Sequence, residues 1–332
     1  MKKIDSRGFS AVEIFLVLII VGAVGFVGLR LYSSKSSEKG SDQQQSQETS
    51  QAGSKLKFDN DAAKSDPIGD PRGPFYHDLY YAASSDGITF SGSKKIIEHA
   101  SVPDVVKLPD GKIAIYAVDA ASRSMAGLLV GLSDDNGSTW QFGSLQVRDN
   151  GNLGADPEAV VLPDGKVRIY YVEFGGGPAQ NGMPASGVKN KVLSAISSDG
   201  ITFTKEEGTR FEYDRLTDPD VVKIGDTWFM YVSQGPKSIV ATSDDGLDFT
   251  YKKDIRDTGS VSNTLLVDNG KYRQFYCMNG GIKSALTTNG LDFSDESGDR
   301  LDDSPSGYAM VCDPAPIKVD NGWLMIYKAA KQ

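Results

Sequence analysis

The sequence predicts an all-β protein: a five-bladed β-propeller closed by strands from both chain termini, preceded by a single transmembrane helix and a flexible tether. Three observations predict this arrangement. A strand–turn–strand unit recurs five times after about residue 75, a second unit ending in a polar turn also recurs five times, and the N-terminus carries a long apolar run. Internal repeats of this kind are the sequence signature of propellers and solenoids.

The first repeated unit is a strand, a tight turn and a second strand. Its five copies begin at Val102, Asp156, Asp218, Val261 and Asp313. Four copies contain an Asp-Gly or Asn-Gly pair, which is a hairpin turn signal, at 110–111, 164–165, 269–270 and 321–322. The unit therefore predicts the two innermost strands of each blade.

The second repeated unit is a strand that ends in a polar turn followed by an aromatic residue. Its copies are SSDGITF (84–90), SDDNGSTW (133–140), SSDGITF (197–203), SDDGLDF (243–249) and TTNGLDF (287–293). The two series are out of phase, because a polar turn precedes the first strand unit and none follows the last. Strands from about 78–98 are therefore expected to join those of 313–330 in one shared blade, which removes open sheet edges. The propeller is predicted for residues 71–332.

The N-terminal region reads as three segments: a basic leader (1–8), an apolar helix (9–32) and a tether (33–70). Sixteen residues from Ile14 to Leu29 carry no charge, and the helix is just long enough to span a bilayer. Positive charge before the span predicts a cytoplasmic N-terminus and an external C-terminus. The Ser- and Gln-rich tether has no apolar periodicity and is expected to remain flexible.

A carboxylate inside the apolar segment, Glu13, is costly in a membrane and points to a function. Gly8, Phe9 and Glu13 have the spacing of type IV prepilin (class III) signal sequences, which the first thirty residues resemble. The resemblance implies cleavage after Gly8 by a prepilin peptidase, methylation of the Phe9 amine, and pairing of Glu13 with a neighbouring pilin subunit. The alternative is an uncleaved signal anchor whose Glu13 lies near the membrane interface.

Composition limits the partners. The formal net charge is -9 and the sequence pI about 4.9, and no Lys/Arg cluster lies beyond the extreme N-terminus, which argues against nucleic acid. Only two cysteines are present, Cys277 and Cys312. Export would permit a bridge between them, but two buried free thiols are the interpretation that the sequence favours.

The polar turns and inner strands resemble known repeat families. SDDNGSTW matches the Asp-box pattern S-x-D-x-G-x-T-W, as in sialidases. The Asp-Pro strand starts and S-D-G-x-T-F turns resemble the five-bladed glycosidases of family 43. The resemblance covers roughly residues 75–330 and implies the propeller fold. The arginine-triad motif of sialidases has no counterpart here.

Aligning the blades on their turns places two layers of residues on the inner strands. Residues 102, 156, 218, 261 and 313 form one layer, and residues 104, 158, 220, 263 and 315 form the next. A strand has a period of two, so both layers point to the same side. Six carboxylates are expected to converge on an axial pocket: Asp104, Asp156, Glu158, Asp218, Asp220 and Asp313.

The family-43 resemblance implies catalytic roles for Asp104, Glu158 and Asp220, as base, pKa modulator and acid. The family's acid is a glutamate in the third blade, where this chain has Asp220, and the Trp-Ala-Pro-Asp and Glu-Gly-Pro signatures are missing.

Asp156, Asp218, Asp313 and Asn263 are the candidate binding residues. Two alternatives remain open for the carboxylates: a structural role at turns that precede proline, and a calcium ion in the axial channel, since oxygen ligands suit calcium.

Three functions follow from these features. The favoured interpretation is a pilin-like anchored propeller at the cell surface, binding an extracellular glycan or a partner protein. The first alternative is a glycoside hydrolase that acts through the axial carboxylates. The second is a structural minor pilin whose propeller contacts other pilin subunits.

Overall fold

The fold is known from a computed structural model that describes residues 56–176, 187–301 and 304–331. The leader, the apolar helix with Gly8, Phe9 and Glu13, and the first part of the tether lie outside the described residues. Within the described ranges, no helix is long and apolar enough to cross a membrane.

The described chain consists almost entirely of short strands. In chain order these are β1 (His77–Ser84), β2 (Ser91–Glu98), β3 (Ala100–Lys107), β4 (Ile113–Asp119), β5 (Leu128–Ser133), β6 (Gln141–Ser144), β7 (Gln146–Val147), β8 (Ala155–Val161), β9 (Val167–Glu173), β10 (Lys189–Ser197), β11 (Thr202–Lys205), β12 (Phe211–Asp214), β13 (Leu216–Ile224), β14 (Thr227–Gln234), β15 (Lys237–Ser243), β16 (Thr250–Arg256), β17 (Ser260–Asp268), β18 (Lys271–Met278), β19 (Gly281–Thr287), β20 (Ser294–Asp295), β21 (Met310–Val319) and β22 (Gly322–Ala330). Two single-turn 3₁₀ helices, Pro74–Tyr76 and Arg148–Asn150, complete the elements.

The strands form five sheets, which are the blades. Blade one has the order β3-β4-β5-β6, blade two β8-β9-β10-β11-β7 with β12 also on β10, blade three β13-β14-β15-β16 and blade four β17-β18-β19-β20. Blade five has the order β21-β22-β1-β2, so its inner pair comes from the C-terminus and its outer pair from the N-terminal side. The predicted five-bladed fold and its closure by both ends of the sequence are confirmed.

The innermost strands β3, β8, β13, β17 and β21 form a closed ring around the central axis, because each contacts the next and β21 contacts β3. Five apolar clusters fill the spaces between successive blades. The fold is therefore stabilised by burial between neighbouring blades, which leaves the axis to polar side chains.

The polar turns connect each blade to its neighbour. In blade one, the backbone N–H of Thr139 donates to Asp135 over 2.8 Å, and Gly137 adopts a φ of +82° that favours glycine. Three buried tyrosines on second strands each donate a 2.8 Å hydrogen bond to a glycine carbonyl in the turn of the next blade: Tyr116 to Gly200, Tyr170 to Gly246 and Tyr231 to Gly290.

The last part of the predicted tether contacts blade one. Phe58 lies under the guanidinium of Arg123, 4.9 Å from the ring centroid. The backbone of Ser144 donates to Lys57, and the backbone of Ala63 donates to Ala121. Residues 57–63 therefore pack along this blade, because Phe58 gives the segment an aromatic contact and the blade edge supplies hydrogen-bond partners.

The two cysteines form a disulfide, with a Cα–Cα distance of 5.3 Å. The sequence interpretation of two free thiols is therefore wrong. Cys277 lies on β18 and Cys312 on β21, so the bond joins blade four to blade five. The two positions are 35 residues apart in sequence, and the packing of β18 against β21 brings them together.

Candidate functional site

Each inner strand has a break in its register where the candidate residues lie. The breaks fall at 101/104, 155/158, 217/220, 261/263 and 312/315. Four residues at these breaks have a left-handed φ between 46° and 50°: Val102, Asp156, Asp218 and Asp313. All four precede a proline, which disfavours the right-handed helical conformation. A bulge at these positions redirects the side chain.

The residues at the bulges form an upper layer that lines a cavity of about 960 Å³ at one end of the axis. Val102, Asp156, Asp218 and Asp313 all contribute to its wall. Aromatic and apolar side chains, among them Tyr171 and Phe174, form further parts of the wall. Cavities of this size that combine apolar walls with a few polar groups are typical of small-molecule sites.

A buried lysine lies within the upper layer. Lys328 Nζ is 2.5 Å from Asp313 Oδ2, and the exposed fractions of the two side chains are only 13% and 6%. Asp313 also donates its backbone N–H to Cys277 Sγ over 3.0 Å. Asp156 Oδ2 accepts the backbone N–H of Asp218 at 3.4 Å. The upper layer is therefore a connected group of three carboxylates and one ammonium.

The upper-layer groups differ in their tendency to hold a proton. Burial raises the pKa of Asp156 to about 6. Burial, together with the neighbouring charges of Asp156 and Asp313, raises the pKa of Asp218 well above its usual value. Burial alone would lower the pKa of Lys328, but the carboxylates around it, Asp313 first, reverse that effect and raise it.

A deeper layer lies two residues further along the inner strands, where Asp104, Glu158 and Asp220 are buried. Each carboxylate accepts the backbone N–H of the next inner strand: Asp104 from Ala159 at 2.7 Å, Glu158 from Val221 at 3.1 Å and Asp220 from Thr264 at 3.0 Å. Asn263 donates from blade four to Asp104 in blade one over 3.1 Å. These bonds tie the inner strands together around the axis.

The deep carboxyls hold protons more strongly than ordinary acids. Burial raises the pKa of Asp104 and of Asp220 to about 7, against the hydrogen bonds that these groups accept. Burial and the charges of Asp104 and Asp220 raise the pKa of Glu158 well above its usual value. None of these three carboxyl side chains lines the open cavity of about 960 Å³.

The sequence-predicted residues are thus brought together, but in two environments. Five of the six carboxylates surround a void of about 10 Å³ on the axis, roughly the size of one water: Asp104, Asp156, Glu158, Asp218 and Asp313. Asp220 is not in its wall. The open cavity is reached by Asp156, Asp218 and Asp313.

Sequence reasoning missed three contributors to the site. Lys328 could have been noticed as a lone lysine in the apolar stretch WLMIYKAA of β22. The segment 67–74, which includes Arg72, forms part of the cavity wall although half of it, residues 67–70, was assigned to the tether. His77 also lines the cavity, and burial, followed by the charge of Lys328, lowers its pKa to about 3.

Oxygen ligands for a cation exist in the upper layer, namely Asp156, Asp218 and Asp313. The donor set suits a hard cation such as calcium. The ammonium of Lys328 already supplies positive charge to Asp313. A calcium ion at this position would therefore have to compete with Lys328 for that carboxylate.

Comparison with known proteins gives a likeness of fold. No protein-family model matches the sequence, and no curated protein matches it. Among solved structures, a glycosyl hydrolase from Bacteroides ovatus aligns with a TM-score of 0.53 and 14% identity, over 84% of this chain and 94% of that one.

Two further solved structures align over 69% of this chain. A thermostable family-43 glycoside hydrolase has a TM-score of 0.52 and 17% identity over 83% of its own chain. An endo-1,4-beta-xylanase from Bacteroides thetaiotaomicron has a TM-score of 0.51 and 18% identity over 84% of its chain. At these identities the likeness concerns the fold alone: the protein is a five-bladed propeller that resembles family-43 glycoside hydrolases in structure.

Proposed function

We propose that the propeller is a glycoside hydrolase that acts on a glycan. The observation that carries this proposal is the upper layer, where three carboxylates line one open cavity and burial raises the pKa of two of them, Asp156 and Asp218. Glycoside hydrolysis requires one carboxylic acid and one carboxylate at the same bond. The fold likeness to glycoside hydrolases agrees with this reading.

The charges around each upper-layer carboxylate suggest its role in the proposed hydrolysis. Asp218, whose pKa is raised well above its usual value, is the candidate acid that donates a proton to the leaving glycosidic oxygen. Asp313, ion-paired with Lys328, is the candidate base that takes a proton from the attacking water. The water oxygen then bonds to the anomeric carbon as the glycosidic carbon–oxygen bond breaks. Asp156 lies beside Asp218 and would bind a hydroxyl or tune the acid.

We propose a supporting role for the residues first assigned to catalysis, which lie in the layer beneath the cavity: Asp104, Glu158 and Asp220. Their hydrogen bonds to neighbouring inner strands would hold the upper layer in place. The two assignments can be separated by substitution, because loss of a reacting group affects turnover and loss of a strand link affects stability.

The test uses the full-length chain in detergent, with p-nitrophenyl xyloside and arabinofuranoside, xylan and arabinan as substrates. Asp218→Asn and Asp313→Asn are expected to lower kcat by about 10²–10⁴-fold. The melting temperature is expected to be kept in Asp218→Asn, whereas Asp313→Asn leaves the buried Lys328 without its ion-pair partner and is expected to lower it. Asp104→Asn and Asp220→Asn, the matched deep-layer variants, are expected to lower the melting temperature. Wild-type turnover that survives in Asp218→Asn and Asp313→Asn would overturn the assignment of roles.

A second candidate function is glycan binding without hydrolysis. It is favoured by Val102, which places an apolar side chain at a position where three other blades carry a carboxylate. Isothermal titration of the same samples distinguishes the two functions. Saturable binding of xylo- or arabino-oligosaccharides with no product formed would establish a binding protein, and product formation would exclude it.

We also propose display at the outer cell surface through the N-terminal segment, with assembly into or beside a pilus through Glu13. The apolar run from Phe9 to Tyr32 supports this proposal, and so does the disulfide, because disulfides persist in oxidising compartments. Mass spectrometry of the cell-associated protein tests it. A mature N-terminus at a methylated Phe9 is expected, whereas an intact Met1 would leave an uncleaved anchor.

A further inference from the structure

Val102 adopts a backbone conformation that its side chain disfavours. Its φ is 46°, in the left-handed region. Among the described residues it is the only β-branched residue with a positive φ. Asp156, Asp218 and Asp313 occupy the equivalent places in other blades with φ values of 49–50°, and a short polar side chain such as Asp tolerates this region far better than Val.

The strain is maintained by the surrounding fold. Val102 is followed by Pro103, and the register of β3 against β4 breaks between Ser101 and Asp104. Strained residues of this kind cluster at functional sites, and the inference runs from the outlier to a function. The unfavourable backbone conformation of Val102 therefore indicates that its apolar side chain has a function at this position.

The cavity supplies that reason. Val102 is half-buried and lines the cavity that Asp156, Asp218 and Asp313 also line. The wall is therefore amphipathic at the upper layer, with carboxylates on three blades and an isopropyl group on a fourth. A sugar ring has the matching chemistry, because its hydroxyls form hydrogen bonds while its C–H groups make apolar contacts.

We propose that Val102 is a specificity-determining residue whose side chain contacts the C–H face of a neutral sugar ring while the ring hydroxyls reach the carboxylates. The inference rests on the proposed action on glycans and adds the substrate class. A sugar that carries its own carboxylate is disfavoured here, since the carboxylates of Asp156 and Asp313 would repel it.

The decisive variant is Val102→Asn, because Asn tolerates the left-handed conformation and has a similar size. Relief of strain is expected to raise the melting temperature by about 2–4 °C. Loss of the apolar contact is expected to weaken binding of xylobiose or arabinobiose by about 10-fold. A residue with a purely structural role would not move stability and affinity in opposite directions.

The matched control is Val118→Asn. Val118 also lines the cavity, but it lies on β4 without a positive φ, so this variant is expected to gain no stability. Val102→Ile, which keeps an apolar β-branched side chain, is expected to bind within about twofold of the wild type.

Each remaining outcome has one meaning. Unchanged affinity in Val102→Asn, equal losses in Val102→Asn and Val118→Asn, or preferential binding of oligogalacturonate over the neutral probes would each overturn the role of Val102 and leave the proposed function standing. A wild-type protein that neither binds nor cleaves any probe would overturn the proposed function, and this inference would fall with it.

Discussion

At the residue scale, the site depends on single side chains placed by unusual backbone conformations. Asp156, Asp218 and Asp313 reach the cavity from left-handed positions before proline. Their carboxylates lie near one buried ammonium, Lys328, which comes from a different strand of blade five. The proton affinities in the upper layer therefore depend on Lys328 as well as on burial.

Removal of that ammonium should be costly. In Lys328→Met, Asp313 loses its ion-pair partner while remaining buried, which typically costs about 3–5 kcal/mol. Urea unfolding of the variant and the wild type at neutral pH measures this loss.

Lys331→Met is the matched control for that experiment. Lys331 Nζ is 3.4 Å from Asp78, but its side chain is 41% exposed, so the expected loss is below about 1 kcal/mol. Equal losses in Lys331→Met and Lys328→Met would show that the buried pair has no special role.

At the element scale, neighbouring blades are joined by hydrogen bonds from strands to turns. Tyr116, Tyr170 and Tyr231 repeat one contact at three successive interfaces. At the next interface, Arg273 donates to the carbonyl of Gly87 over 3.1 Å. The polar turns therefore act as links between blades as well as caps within them.

Loss of one such link should be measurable. Tyr231→Phe removes the donor to the Gly290 carbonyl and is expected to lower the free energy of unfolding by about 1–3 kcal/mol. Tyr272→Phe is the comparison, because the hydroxyl of Tyr272 makes only an exposed 3.4 Å contact with Lys223. A shift in the urea midpoint that is no larger for Tyr231→Phe than for Tyr272→Phe would contradict the link.

The disulfide is a second connection between elements, joining β18 to β21. A bridge that closes 35 residues is expected to stabilise the fold by about 4 kcal/mol through the entropy of the unfolded chain. The Cys277→Ser/Cys312→Ser variant should lose that stability. Alkylation under denaturing conditions without reductant provides the check on the bond itself, since both thiols in the wild type should resist modification.

At the scale of the whole molecule, the deep carboxyls link stability to pH. The pKa values of Asp104 and Asp220 are raised to about 7, above the value near 4 of an unfolded chain. The folded protein then binds more protons than the unfolded protein between these values. The contribution of these groups is fully present below about pH 4 and is lost as the pH rises towards 7.

The free energy of unfolding should therefore fall between pH 4 and pH 7, with a slope of up to about 1.4 kcal/mol per pH unit for each such group. Asp220→Asn should flatten that slope. Asp135→Asn should leave it unchanged, because hydrogen bonds from Thr139 hold the pKa of Asp135 at about 2, outside this window. Unfolding by guanidinium chloride between pH 4 and pH 7 measures this slope. An unchanged slope in Asp220→Asn would show that Asp220 does not link stability to pH.

The sequence predicted the architecture well because the repeats encode it locally. The turn pairs and alternating strands define each blade, and the phase difference between the two series predicts the shared blade of β1, β2, β21 and β22. The placement of the carboxylates on the inner strands also follows from aligning the repeats, but the register breaks that separate them into two layers were not predicted. The disulfide was not predicted, because the approach of Cys277 and Cys312 depends on how β18 of blade four packs against β21 of blade five.

The number of blades, their closure and the identity of the inner-strand acids could be read from the residues alone, because they follow from strand period and turn chemistry. The division of the acids between the open cavity and the layer beneath it depends on tertiary contacts. The bulges before proline turn Asp156, Asp218 and Asp313 towards the open cavity, whereas Asp104, Glu158 and Asp220 stay beneath it. Lys328 joins them from β22. These features could not be read from the sequence because burial, charge neighbours and backbone strain arise from contacts between strands that are distant along the chain.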